Sequence, residues 1–592
     1  MTDEKENESP PSPIPANVSL AGGAESGGVA DFLMAKEGET KFEKWVDQIS
    51  DFFSSILVKE TRQAVKSRQF FMTLMLLLSL VILWTFYALA PTRPGYDVDS
   101  LGSLMLSGFL VILGIPMVLI IPYTTFRSLA EEYENGTIEM VLITTMKPWQ
   151  IIAGKLGSAM LQVLVYLSVL APCIALCYLL RGVDITQLWY AIGGGVVVTM
   201  GLCCLAIALA SAADNPRVIQ VLSVFLILGL LICAWFWCFL SYSICFYPVS
   251  AGQQSMVNLM IAGPMLAWIS TAVILFFAAS SKIAFASSNR STMLRIGVTA
   301  QVIIYVGYLL ACGSVFGFHK YMFSFASVVA MQYLLVVGSM MVACHTGMSP
   351  RVRRSLPTTF IQRSLFSLYM PGPGRAFLFM IGLTLGLSTT LVMLALGHHL
   401  FDVGFDIDIR AMGMGSRNNF TAVDAGLSVF SIITNFFFFL FFFCVTFLIS
   451  RVVAWRSKHR RPFVVELAIV PAALVFLATA GSYGIAPLVF QARRAKFDFS
   501  QIFNWYRVQY MAVGTGSGDV FWHLAIIGAI TLPLLYFCIR YAIPDLIITS
   551  MAVPDRLIEE DKELKRERIW GREEAHEETI DEIFAAVRPG QE

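Results

Sequence analysis

The stretch "EEYENGTIEMVLITTMKPWQIIAGK", Glu131 to Lys155, separates two apolar runs, "LMLSGFLVILGIPMVLIIP" (104–122) and "LGSAMLQVLVYLSVLAPCIALCYLL" (156–180). Each run approaches or exceeds the roughly 20 apolar residues that a helix needs to cross a bilayer. The gap is therefore read as a segment outside the hydrocarbon, yet it carries helical order. Ile138, Val141 and Leu142 fall on one face of a helix starting near Thr137, while Glu139 points elsewhere. Asn135 and Gly136 suit the turn that enters it, and Glu131, Glu132 and Glu134 are expected at its positive N-terminal end. Lys147-Pro148 is expected to end it, because proline removes an amide donor and biases its predecessor away from helical angles. "QIIAGK" then leads into the next span, with Lys155 expected as an anchor at the interface.

The whole chain repeats this logic. Of its 592 residues, 56% are hydrophobic and 14% charged, with a mean hydropathy of +0.68, more apolar surface than a soluble globule hides. The expected fold is an all-α, polytopic membrane protein of about twelve transmembrane helices. Six are read near 70–91, 102–123, 157–180, 188–211, 218–241 and 258–281, and a second set near 297–317, 322–346, 376–397, 426–450, 463–486 and 521–545. A net charge of +1 gives no global field for nucleic acid or an acidic substrate. The 11 cysteines lie in or beside apolar runs without a CxxC pair, so they read as small hydrophobes rather than zinc ligands. Cys238 and Cys245 alone are placed for a disulfide, against free thiols.

Residues 1–41 are rich in Ser, Pro, Gly and acids and are expected to be disordered. They hold no basic region followed by an apolar one, so the first span is expected to act as the membrane signal. In 42–69, Phe42, Trp45, Val46, Ile49, Phe52, Phe53, Ile56 and Leu57 recur at helical steps, followed by Lys59, Arg62, Lys66 and Arg68. That pattern predicts an amphipathic interfacial helix on membrane lipids of an anionic leaflet. With the N-terminus placed inside, roughly 23 Lys and Arg fall on inner segments, the C-terminal tail excluded, against about nine on outer ones, so both termini are expected to be cytoplasmic. Residues 546–592 form a charged tail whose alternating signs predict a solvated or partner-binding helix.

Candidates for chemistry are few. The spans carry almost no charge at mid-membrane, which counts against a proton or sodium relay; Glu466 lies only about a turn from Arg460 and Arg461. "GHHLFDVGFDIDIR" (397–410) reads as a solvated loop, with divalent-cation binding as the alternative. "REEAHEE" around His576 does not match HExxH, and "SAGQQ" (250–254) only faintly resembles an ABC signature on the outer side. There is no GxxxxGK[ST].

The gap between the second and third spans carries one resemblance. Glu132, Gly136-Thr137, Glu139, Val141-Leu142, Thr144-Thr145, Pro148, Ile151-Ile152 and Gly154-Lys155 together resemble the membrane-spanning permease subunits of ABC-2 type transporters. "ILVKETRQAVKSRQFF" before the first span is similar to that family's amphipathic helix at the same place, and 70–281 matches its six-helix core, with 124–155 as the cytoplasmic coupling segment. Met146-Lys147-Pro148 departs from the family's more usual Thr-Pro and Ser. The resemblance implies a chain that is not itself an enzyme and binds no cofactor. It would contact a separate ABC ATPase subunit that holds the ATP, pair as a homodimer or with a second permease, and export an unidentified substrate across the cell membrane. It covers the first half only; 282–545 shows no copy of the motif. "SPRVRRSLPTTFIQRSLFSLYMPGPGR" (349–375) is a loop, a membrane-surface segment or a second cytoplasmic contact. Two other classes stand beside it: a secondary transporter, which needs ionisable groups inside the membrane, and a non-transporting scaffold or sensor.

Overall fold

The computed structural model describes residues 55–90, 101–137, 140, 147–180, 183–212, 216–246, 254–285, 288–316, 320–343, 349, 352, 366–404, 422–456, 518–546 and 563. Among them α1 (Ser55–Lys66) precedes α2 (Arg68–Leu89), with Ser67 capping the second by accepting from the Phe70 amide. There follow α3 (Leu101–Gly114), a π turn (Ile115–Ile120), α4 (Ile121–Glu134), α5 (Pro148–Leu179), α6 (Ile185–Ala212), α7 (Pro216–Phe246) and α8 (Gln254–Ile283). Then come α9 (Thr292–Phe316), α10 (Lys320–Ala343), α11 (Pro373–Gly404), α12 (Ala422–Arg456) and α13 (Gly518–Leu546). Among the described residues, 11 helices are long and apolar enough to cross a membrane, the architecture of an all-α multi-pass membrane protein. The expected span at 463–486, the segments 1–41 and 42–54, and nearly all of 546–592 lie outside the described residues.

The second span is longer than its apolar run. Leu101 to Glu134 is one rod of 34 residues, because Phe126, Leu129 and Ala130 continue a buried stripe beyond the membrane run and pack with Ile152. Pro116 and Pro122 each lack an amide donor, and the wide π turn lets the helix pass them without breaking. Trp237 of α7 braces this place: its indole N–H donates to the Leu110 carbonyl at 2.9 Å, and its ring fills the space that a Cβ on Gly114 or Gly195 would occupy. Small residues beneath large aromatic ones bring membrane helices close where no hydrophobic force from water drives them together.

Two sets of helices build separate cores. Leu77 to Ile283 fill those of the first, and a third core, from Ile274 to Ala542, fills the second. α9 joins them: Gln301 donates to Thr271 of α8 at 3.0 Å and accepts from Tyr333 of α10 at 2.6 Å. The run "NFFFFLFFFC" (435–444), whose composition fits a lipid-facing helix, lies at the centre of the second set because α12 packs against α10, α11 and α13. Phe438, Phe439, Phe443 and Phe447 are fully buried, and Asn435 donates to Ser327 of α10 at 2.6 Å. Cys238 and Cys245 are both free thiols, so the disulfide alternative is not realised.

α12 and α13 run parallel. Arg451 meets Asp545 at 2.8 Å, Cys444 accepts from Cys538 at 3.8 Å, and Gly528 lies beside Phe437, one register from end to end. Asp545 also accepts from the amide of Gly374, the second residue of α11, at 2.9 Å, so it caps that helix from a neighbour. The end of α12, the end of α13 and the start of α11 therefore share one face of the bundle. Arg456 and Gly518 therefore lie at opposite faces of the bundle, and the span at 463–486 is expected by sequence between them. Cysteines introduced at Arg456 and at Gly518 are predicted to react with an impermeant thiol reagent from opposite sides of a sealed vesicle; labelling from one side would contradict the parallel register.

Candidate functional site

The site forms where three helices meet beside the gap at 135–147. α1 is two-faced: Leu57, Glu60, Thr61 and Ala64 turn inward, while Val58, Lys59, Arg62, Gln63, Val65 and Lys66 are exposed. Gly157 of α5 admits this inner face, since a Cβ there would lie 2.8 Å from a methyl of Leu57. α4 brings Ser128 and Glu132, one turn apart, to the same place.

α5 starts earlier than its apolar run. Lys147 is its N-cap, Pro148 its first residue, and the Gln150 side chain accepts from the Lys147 amide at 2.9 Å. Pro148 thus opens the third span. Seven residues later Lys155 is only 3% exposed, and its ammonium donates to Glu60 Oε1 at 3.1 Å, Glu132 Oε1 at 2.9 Å and Ser128 Oγ at 2.7 Å. Ser128 Oγ in turn donates to the other Glu60 oxygen at 3.3 Å. Three N–H bonds meet three acceptors, the full donor capacity of a lysine. One cation between two carboxylates leaves the cluster formally negative by one.

This corrects two expectations. Lys155 is not an interfacial anchor; it is buried and paired, because α1 and α4 close over it with carboxylates. Glu131, Glu132 and Glu134 do not begin the helix after the turn; they form the last turn of α4, whose C-terminal dipole disfavours them. Glu132 is offset by Lys155, and Glu131 by Arg127 at 3.1 Å on the exposed surface. The chain then turns as expected. Asn135 and Gly136 form the turn, and Gly136 has φ +68, a left-handed angle that glycine adopts without a steric penalty.

The other predicted residues divide as follows. Thr137 is helical and its hydroxyl donates to the Glu132 carbonyl at 3.3 Å; Met140 is also helical. Glu139, Val141 and Leu142 lie outside the described residues, as do Trp45, Ile49, Phe52 and Phe53. Gly154 is buried in α5, and Lys59, Arg62 and Lys66 are exposed on α1. Glu60 and Ser128 were missed by sequence reasoning. The signal for Glu60 was its place as the single acid in "LVKETRQAVK", on the stripe of Leu57 and Ala64 rather than among the cations. The signal for Ser128 was its spacing of four from Glu132.

The remaining buried charges serve the second set. Arg295 donates to the carbonyls of Leu368 and Gly372, and Arg375 to that of Pro371, so residues 368–372 fold onto α9 and α11. Among the described residues no group of three or more His, Cys, Asp or Glu is placed to hold a metal ion. Comparison of the chain with protein-family models, with curated proteins and with solved structures finds no match.

Removing one member of a buried ion cluster strands the others. The side chains of Lys155, Glu60 and Glu132 are 1%, 14% and 22% exposed. Lys155→Met should therefore cost about 3 kcal/mol, the low end for such a loss, because the carboxylates keep some water. Adding Glu60→Gln and Glu132→Gln should recover most of it, measured by unfolding in detergent micelles; a neutral Lys155→Met would contradict this assignment.

Proposed function

We propose that the chain is the membrane permease subunit of an ABC-2 type transporter, coupling ATP hydrolysis on a separate ATPase subunit to export of a substrate across the cell membrane. In this reading both termini are cytoplasmic, and two permease subunits assemble, as a homodimer or with a related chain. One observation carries it. The residues that bracket the family-like pattern, Glu132 and Lys155, are ion-paired to each other across the gap, 23 positions apart. A contact on the segment between them is thereby transmitted to both flanking helices and, through Glu60, to α1.

The length of the second span supports the same reading. A rod of 34 residues measures about 51 Å at 1.5 Å per residue, against about 30 Å of hydrocarbon. The excess of about 21 Å is enough to carry its end beyond the apolar layer, within reach of a soluble partner.

Ion-coupled transport fits less well. Among the described residues, the buried or half-buried charges, Lys155, Arg295, Arg375, Arg451 and Asp545 with Glu60, Arg127, Glu132, Lys282 and Arg290, all lie within about two turns of a helix end or between helices. They share the face on which the N-terminal residues of α5, α9 and α11 lie, and none occupies the middle of a span.

Purification from native membranes should recover a stoichiometric ATPase with a phosphate-binding loop, whose activity the permease stimulates. Glu139→Arg should leave the chain inserted and abolish that stimulation, because it reverses a charge on the coupling segment. Recovery of an intact, transporting complex without any ATPase would overturn the proposal.

A further inference from the structure

The outer face of α1 takes no part in the Lys155 cluster. Lys59, Arg62 and Lys66 recur there at three- and four-residue steps and are exposed, and no ion pair to any of them is formed among the described residues. The helix's single acid, Glu60, is turned inward and held by Lys155. The charges on the outer face are therefore all positive. Val58, Lys59, Arg62, Gln63 and Lys66 line an open, shallow concavity of about 460 Å³ on this face.

We propose that this face is a binding site for the headgroup of an anionic phospholipid, with Lys59, Arg62 and Lys66 holding its phosphate. Position argues for a lipid. α1 ends at Lys66, two residues before Arg68 opens the first span, so the helix starts from the level of the headgroups. At 1.5 Å per residue, Arg62 lies about 9 Å along the chain from that boundary, within the reach of its own side chain and the headgroup layer. Composition argues the same way. Val58 and Val65, 51% and 46% exposed, flank the cations, and a mixture of exposed aliphatic and cationic groups matches the boundary between headgroup and acyl chain. A guanidinium offers paired donors to two phosphate oxygens, and the flanking ammonium groups add charge. Because the inner face of the same helix carries Glu60, a bound lipid would also fix the helix that completes the Lys155 cluster. The inference does not depend on transport or on an ATPase.

The test uses the full chain in neutral detergent micelles, with native mass spectrometry reading bound phosphatidylglycerol against phosphatidylcholine of the same acyl chains. At about fivefold per exposed cation, the wild type should prefer the anionic lipid by at least about tenfold. Lys59→Gln/Arg62→Gln/Lys66→Gln should abolish that preference, while Lys59→Arg/Arg62→Lys/Lys66→Arg should keep it. Soluble glycerophosphate should fail to displace the lipid. Equal binding of the two lipids, a preference that survives neutralisation, or displacement by glycerophosphate would each overturn the proposal, the last by marking a site for free phosphate. ATPase association is untouched by any of these outcomes.

Discussion

A lysine ammonium that is almost without water must find acceptors, and Lys155 finds them on two other helices. This requirement organises the first half of the molecule. α5 supplies the cation, α4 supplies Ser128 and Glu132, and α1 supplies Glu60; loss of the cation strands two carboxylates in a low dielectric, and loss of an acceptor leaves an ammonium N–H without a partner. The ion cluster adds less to net stability than its Coulomb attraction alone, because desolvation opposes it. Its larger effect is on position. It sets where α1 docks and how the two helices on either side of the gap stand relative to each other.

The second half solves a similar problem differently. There carboxylate, guanidinium and backbone groups satisfy helix ends: Asp545 caps α11 and pairs with Arg451, while Arg295 and Arg375 satisfy carbonyls of 368–372. These contacts cross between helices at one face of the bundle, where water and headgroups lower the cost of charge. Deeper in the spans the links are neutral, as in Thr271, Gln301 and Tyr333 or Ser327 and Asn435. The arrangement makes a rigid middle with its charged contacts gathered at one face.

Much of this was legible in the chain itself. Apolar length located the 11 spans of the described residues, and Asn135-Gly136 gave the turn with its positive φ. The ends of the polar gap were named, Glu132 and Lys155, but as a helix-start acid and an interfacial anchor. Their pairing was hidden because local rules describe neighbours on one helix, whereas this contact joins two helices and recruits Glu60 from 95 positions away. The phenylalanine run shows a second limit. Lipid is as apolar as a protein core, so Phe438 and Phe443 carry no compositional mark of being buried. Residues 124–134 show a third: their hydropathy falls below that of a span, yet the stripe of Phe126, Leu129 and Ala130 keeps the helix going.

The central claim is that Lys155 binds α1, α4 and α5 into one unit. Amide hydrogen exchange on the full chain in micelles, wild type against Lys155→Met, tests it most directly. The account predicts that exchange rises together in 55–66, 121–134 and 148–157 while α10 to α12 stay unchanged. A rise confined to 148–157 would contradict it.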